Sequence, residues 1–327
     1  MTSALRGLVL AGHRCRDAAT HSPLAAGGPP ELLPVANRPI LVHVLERLRD
    51  AGVADVVVVA DRLTGEAIRD AVGDGSQLAM ELAHVEQLDW FGTGHAIQAA
   101  APLLDDATVV VHPGAGLSDR PLAETLETFE ASGADALVTL DRRGVSCLRP
   151  CVVEALGGVV PSWRGRELEL AAVRDAGGRV ETADEHGWWA CEGDPMELLS
   201  LNRTVLEELP VRQWTPDGRS DVRVEGRVAV GGQAVLQGTV VRGPAVIGAG
   251  ALLSDAYIGP YTAIGDGARV EGSEIEDSIV MAGAGVFHLS SRLSGCVLGP
   301  EARLLRSFAL PRASRVWIGA GTEVALA

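Results

Sequence analysis

All of the positive charge on this chain is arginine: there are 28 basic side chains and no lysine. A lysine ammonium is a compact point charge that grips phosphate, whereas arginine is a bulky planar fork. Chemistry on phosphate groups would therefore fall to arginine, backbone N–H groups or a metal. Five cysteines, Cys15, Cys147, Cys151, Cys191 and Cys296, form an odd set without a CxxC pair, which reads as reduced thiols. Cys147 and Cys151 are spaced to share a helix face, but no nearby His or Cys pair completes a zinc set. Trp90, Trp188 and Trp189 offer faces for stacking on a base, and serve equally as core or interface aromatics. Glu167 and Glu169 lie at strand spacing, either in a site or on a solvated face.

The elements that would position these residues follow from hydrophobic periodicity. Leu8–Leu10 is a short aliphatic run before a loop. Ile40, Leu41, Val44, Leu45 and Leu48 then recur at helical spacing until Gly52. Val56–Ala60 reads as a buried strand, the stretch around Gly65–Ala71 as a helix, and Leu78–Val85 as extended. Ala96–Leu104 and Pro121–Ser132 read as helices, with Thr108–His112 and Ala136–Leu140 extended between and after them. This alternation predicts an α/β domain with a mostly parallel, Rossmann-like sheet covered on both faces. Ligands then bind beyond the carboxyl ends of the strands, at the loops after Leu10, Val85 and Val111. Asn202–Leu209 reads as the last helix and Pro210–Ser220 as a linker, giving domains 1–211 and 212–327.

In the second domain the period changes. Val222, Val228, Ala234, Val240, Val246, Leu252, Ile258, Ile264 and Val270 fall at six-residue intervals. After a one-residue slip, Ile275, Val280 and Val286 continue the series. A six-residue aliphatic repeat predicts a parallel β-helix, one hexapeptide to each flat side of a triangular coil.

Read in order, these segments resemble the sugar-phosphate nucleotidyltransferases. Gly7-Leu-Val-Leu-Ala-Gly12 resembles the opening strand and the start of the phosphate loop. Leu32-Leu-Pro-Val-Ala-Asn-Arg-Pro-Ile40 resembles the segment after a conserved lysine. Gln87 with Gly92-Thr-Gly-His-Ala96 resembles the base-recognition strand and loop. Gly165–Leu170 resembles a sugar-side segment, and Trp189 to Arg203 the close of the catalytic domain. The β-helix and the tail from Leu310 to Gly319 resemble the long actinobacterial glucose-1-phosphate thymidylyltransferases, which implies a left-handed β-helix. The resemblance implies nucleotide contacts from Leu10, Ala11, Gly12, Arg16, Gln87, Gly92 and Thr93, and sugar-side residues at Glu167 and Glu169.

The same resemblance implies a reaction joining a sugar 1-phosphate to a nucleoside triphosphate. Such chemistry rests on positioning and charge neutralisation, and here this chain departs from the pattern. The phosphate loop reads His13-Arg-Cys-Arg-Asp17, with two glycines replaced and Asp17 at the arginine position. Pro30 and Glu31 stand where the lysine is expected, and a second, sugar-phosphate lysine has no counterpart. The turn expected to hold one metal carboxylate reads His112-Pro-Gly-Ala-Gly116, with Asp119 the nearest acid, and Cys191 stands in the place of the other. About two dozen residues of the usual sugar-holding stretch are missing between Leu140 and Val145.

No catalytic residue is expected to be retained, nor any metal site or cofactor. The leading expectation is a non-catalytic, regulatory or structural subunit with residual nucleotide or nucleotide-sugar binding, pairing with itself or with an active paralogue. One alternative is an active enzyme using magnesium at a relocated site with Arg14, Arg16, Glu192 and Asp194. Another is new chemistry at His112 and Cys191, set against neutral drift in an unused pocket. His95 reads as a structural loop residue rather than a general base. The net charge of −15 argues against nucleic acid as a partner. No run of 18 or more apolar residues and no leader before Leu8 is present, so no membrane partner and a cytoplasmic location are expected.

Overall fold

The computed structural model describes residues 4–11, 28–88, 92–139, 144–157, 174–175, 177–183, 188–191, 193–210 and 221–306. The first half is a seven-stranded mixed sheet with helices on both faces. Its strands are β1 (Leu5–Leu10), β4 (Asp55–Asp61), β5 (Glu81–Gln87), β6 (Thr108–Pro113), β8 (Ala136–Thr139), β9 (Ser146–Leu148) and β10 (Val180–Ala183). They run in the order β10-β8-β9-β6-β1-β4-β5. Only β9 is antiparallel to its neighbours, β6 and β8.

The Val56–Val59 run is buried on both sides because two layers cover it. Val56 and Val58 join one core with helix α1 (Ile40–Asp50), while Val57 and Val59 face the other with helix α3 (Thr93–Ala100). In α1 the residues Ile40, Leu41, Val44, Leu45 and Leu48 are fully buried. Each such side chain contributes roughly 1.5–3 kcal/mol relative to exposure. The helix stops where the Val53 N–H turns back to the Leu48 carbonyl (2.9 Å).

Helix α2 (Gly65–Val72) falls as the spacing predicts, as does α4 (Leu122–Ser132). Two elements differ. The stretch from Leu78 begins as a short 3-10 turn, Ser76–Leu78, flanked by left-handed Gly75 and Ala79, and the strand starts only at Glu81. The last helix of the domain, α6 (Pro195–Glu207), follows α5 (Pro150–Gly157) and begins seven residues before Asn202. Asp194 caps it by accepting the Met196 N–H (2.7 Å), with Pro195 in the first turn.

The second half is a parallel β-helix of the left-handed hexapeptide type, built from three five-stranded sheets. Its first coils are 17 residues, not 18: Val240 pairs with Tyr257 and Tyr257 with Glu274, whereas Ile264 pairs with Val280 after 16 residues and Ile275 with Leu293 after 18. One inward ladder runs Val224, Val241, Ile258, Ile275, Leu293. A second runs Val230, Ile247, Ile264, Val280, Leu298, and a third Leu236, Leu253, Val270, Val286, Leu304.

The strict six-residue series therefore crosses lines. Ile258, Ile264 and Val270 are on the ladders, Val240, Val246 and Leu252 lie one place off them, and Val222, Val228 and Ala234 two places off. In the first three coils the slip is at the same corner, where Gly238, Asp255 and Gly272 each take a left-handed conformation and shorten the side by a residue; Asp277, also left-handed, shortens a further side between Ile275 and Val280. Beside these corners Thr239 and Ser273 are buried, and their hydroxyls donate to the carbonyls of Gln237 (2.7 Å) and Glu271 (2.9 Å).

One outer face of the β-helix is apolar because the first half covers it. Ala263, Ile279 and Met281 join the same core as α1 and α6, with Val246, Tyr261 and Val297 against it. The hairpin of β2 (Pro34–Val35) and β3 (Arg38–Pro39) turns through Ala36 and Asn37, both at positive φ. From that tip Asn37 Nδ2 donates to the Ile264 carbonyl (2.6 Å). Asn202, fully buried, accepts the Ala36 N–H (2.9 Å) and donates to the Tyr261 carbonyl (3.0 Å). Arg203–Asp277 and Arg227–Glu207 ion pairs rim the contact.

Candidate functional site

The carboxyl ends of β1, β4 and β6 converge on one place. The Ala11 N–H reaches the Val59 carbonyl (2.8 Å), and the Gly114 N–H reaches Leu10 O (2.7 Å). Gly114 has to be small there. A Cβ on it would stand 2.9 Å from Leu10 O, 3.0 Å from Glu31 Cγ and 3.3 Å from Ala11 Cβ. Glu31 thus lies directly over the exit of β1, 3% exposed, in the 3-10 turn Pro30–Leu32. Where the resemblance implies a phosphate-gripping lysine, the chain buries a carboxyl group.

The two positions expected to hold metal carboxylates do come together. Strand β7 (Gly116–Ser118) pairs antiparallel with β11 (Trp188–Ala190), and the Cys191 N–H bonds to the Ala115 carbonyl (2.7 Å). His112 is buried on β6, with Nδ1 2.7 Å from the Pro113 carbonyl oxygen. Burial pushes its imidazole down to about 4, with the Arg47 guanidinium acting in the same direction. Burial likewise pushes the Cys191 thiol up to about 12, and the carboxylates of Glu197, Asp194 and Glu31 add to the effect. At neutral pH one is an uncharged imidazole and the other an un-ionised thiol, a poor nucleophile. Asp119 lies exposed beyond the end of β7. Among the described residues no group of three or more His, Cys, Asp and Glu is placed to hold a metal ion.

The segment that the resemblance assigns to base recognition is described at both of its ends. Gln87 ends β5 and is 3% exposed. Gly92, at φ 94°, turns the chain into α3, and Thr93 and His95 occupy its first turn. Gln87 Nε2 lies 2.6 Å from His95 Nδ1. The other amide atom, Gln87 Oε1, is buried with no hydrogen-bond partner among the described residues. The sequence singled out Gln87, Gly92 and Thr93 but not this contact. Its only sequence signal is a spacing that sets a strand's last residue against a helix's first turn.

Leu10 and Ala11 thus stand at the β1 exit, whereas Gly12, Arg16, Glu167 and Glu169 lie outside the described residues, as do Arg14, Trp90, Glu192 and the tail. A Rossmann-like mixed sheet packed against a left-handed β-helix is the architecture of a nucleotidyltransferase-type protein.

The chain belongs to the nucleotidyl transferase family, whose model matches residues 19–146. It is 32% identical to a glucose-1-phosphate thymidylyltransferase of Streptomyces antibioticus, over 98% of this chain and 99% of the relative. It is 30% identical to the one of Streptomyces griseus, over 96% and 98%. The low-salt glycan biosynthesis nucleotidyltransferase Agl11 of Haloferax volcanii is 27% identical over 93% and 96%. In fold, the chain is similar to a Bacillus anthracis structure described as a candidate glucose-1-phosphate thymidylyltransferase in complex with sucrose. The TM-score is 0.54 at 16% identity, over 64% of this chain and 98% of that one.

Proposed function

We propose that this protein is a catalytically degenerate nucleotidyltransferase that keeps nucleotide-side recognition and acts as a regulatory or structural subunit. The observation that carries this is the buried Glu31 carboxyl packed against Ala11 and Gly114, where two anionic substrates would have to meet. Asp194 and Glu197 add negative charge beside Cys191, and the chain has no lysine to supply a phosphate-gripping ammonium. One preorganised donor or charge is worth about 10²–10³ in rate. Two lysines and two metal carboxylates are missing together, so even with strong non-additivity the transfer falls to background.

The direct test supplies the purified chain with magnesium, dTTP, UTP or GTP and glucose 1-phosphate, and measures pyrophosphate. Background release is the expected result. Ordinary turnover would overturn the proposal and favour a second reading, an active enzyme in which arginine replaces lysine. Near-full-length similarity to the Streptomyces thymidylyltransferases supports that reading. It predicts magnesium-dependent triphosphate binding that Arg16→Ala abolishes. The proposed assembly, with itself or with an active paralogue, is tested by light scattering of the chain alone and mixed with such a paralogue.

A further inference from the structure

Every described coil of the β-helix turns one corner by the same rule. Six steps along the chain carry it from the second inward ladder to the third, as from Ile247 to Leu253 and from Leu298 to Leu304. The first step is glycine in four of the five coils, because the next coil leaves no room for a Cβ. At Gly231, Gly248 and Gly265 it would stand 2.5, 2.4 and 2.5 Å from a backbone nitrogen of that coil. The third step is left-handed in all five, at Gln233, Gly250, Gly267, Gly283 and Glu301. The fourth is alanine in all five, from Ala234 to Ala302.

The third ladder is closed below and open above. Leu236, Leu253, Val270 and Val286 are at most 4% exposed, but Leu304 is 38% exposed and its neighbour Leu305 57%. Gly299 holds the same position as Gly248, yet among the described residues nothing comes within 4 Å of a Cβ placed on it. An apolar coil end with open strand edges is a seat for another coil. The sequence repeats the corner rule once more, in Ile318-Gly-Ala-Gly-Thr-Glu-Val324. Its aliphatic residues are six apart, with Gly319 at the first step, Gly321 at the left-handed third and small Thr322 at the fourth.

We infer that residues 318–324 dock on Leu298–Leu304 as a sixth corner, adding a strand to each of two sheets and covering Leu298 and Leu304. The hydrogen bonds follow the coils below. There the Gly248 and Gly265 N–H groups donate to the Ile264 and Val280 carbonyls, and those of Arg269 and Gly285 to Ala284 and Ala302. The Gly299 N–H is therefore assigned to the Ile318 carbonyl, and the Arg303 N–H to that of Thr322. The step from Leu298 to Ile318 is two residues longer than that from Val280 to Leu298, a surplus that one corner loop absorbs. Residues 307–317 tether the segment to its seat, so it competes at high effective concentration against a second copy. Leu298 and Leu304 are then closed to any assembly partner. The inference does not depend on the loss of activity proposed above.

Amide hydrogen exchange at single-residue resolution on the full chain tests this. The Gly299 and Arg303 amides are expected to exchange at least about tenfold more slowly than unstructured ones. Gly321→Val puts a β-branched residue at a left-handed position and is expected to speed both by at least about tenfold, leaving Gly248 unchanged. Ala320→Asp places at the second step the residue type that Asp266 already supplies there, and is expected to leave both unchanged. Unprotected Gly299 and Arg303 amides in the wild type overturn the inference. So does protection that survives Gly321→Val, or that is lost equally in Ala320→Asp. Protection that grows with protein concentration, alongside a doubled mass in light scattering, gives the seat to a second copy and overturns it too.

Discussion

At the scale of single residues, the proposed loss of transfer activity turns on charges that the chain lacks or buries. The missing lysines were legible in the sequence, since no realignment recovers a residue type the chain does not contain. What the sequence did not disclose was burial. Glu31 on a solvated loop would be unremarkable, but here it is 3% exposed over the β1 exit. The same burial makes His112 a pH sensor of stability. Its folded form resists protonation down to about 4, whereas the unfolded chain takes a proton near the ordinary value of 6.5. Between these values the unfolded state binds more protons, so stability falls as pH drops from about 6.5 to about 4. The loss attributable to His112 is about 3 kcal/mol. His43, also lowered chiefly by burial, adds to the slope. Chemical denaturation of His112→Leu across that range is expected to show a shallower pH dependence than the wild type.

At the scale of elements, helices and strands were read well where apolar residues recur at the element's own spacing, as Ile40, Leu41, Val44, Leu45 and Leu48 do in α1. Elements were read less well where a turn residue sets the boundary. Ala79 is an alanine in a left-handed conformation, which its type does not advertise, and it delays β5. Asp194-Pro195 did advertise the start of α6 and was passed over. In the β-helix the six-residue period was legible, but it hid the corner shortened by one residue in each of the first three coils, because flanking aliphatics kept an apparent series going. The corners also separate two kinds of glycine. At Gly248 a Cβ would meet backbone atoms of the next coil, Asp266 N at 2.4 Å and the Gly265 carbonyl carbon at 2.5 Å. At Gly250 a Cβ has open space, but φ is +65°. Gly250→Ala is expected to cost about 1 kcal/mol from backbone strain alone. Gly248→Ala forces adjacent coils apart and is expected to cost about 1–3 kcal/mol or more. Urea titrations of the two variants check the order, and equal costs would show that the coils are not this tightly stacked.

At the scale of the whole molecule, the two halves share one apolar core and a buried polar pin. Asn202 serves both sides at once, accepting from the hairpin and donating to the β-helix. The sequence marked the Asn202-Arg203 segment as a closing motif, but only the folded chain shows that it closes the gap between halves. Asn202→Leu strands a buried N–H, worth about 1–3 kcal/mol, and a part-buried carbonyl that costs less. The wild type is expected to melt in one calorimetric transition, and the variant to show a lowered or divided one. A variant that melts like the wild type would show that the apolar contact alone joins the halves. The coil also governs how this half can change length in evolution. Gain or loss of one whole coil leaves each aliphatic ladder in phase. A shorter insertion within a side shifts the strands after it, turning their aliphatics towards water unless it bulges out at a corner. Related chains should therefore differ here by whole coils or by corner loops, and the 18-residue step from Ile275 to Leu293, which carries an extra loop after Phe287, is one such place within this chain.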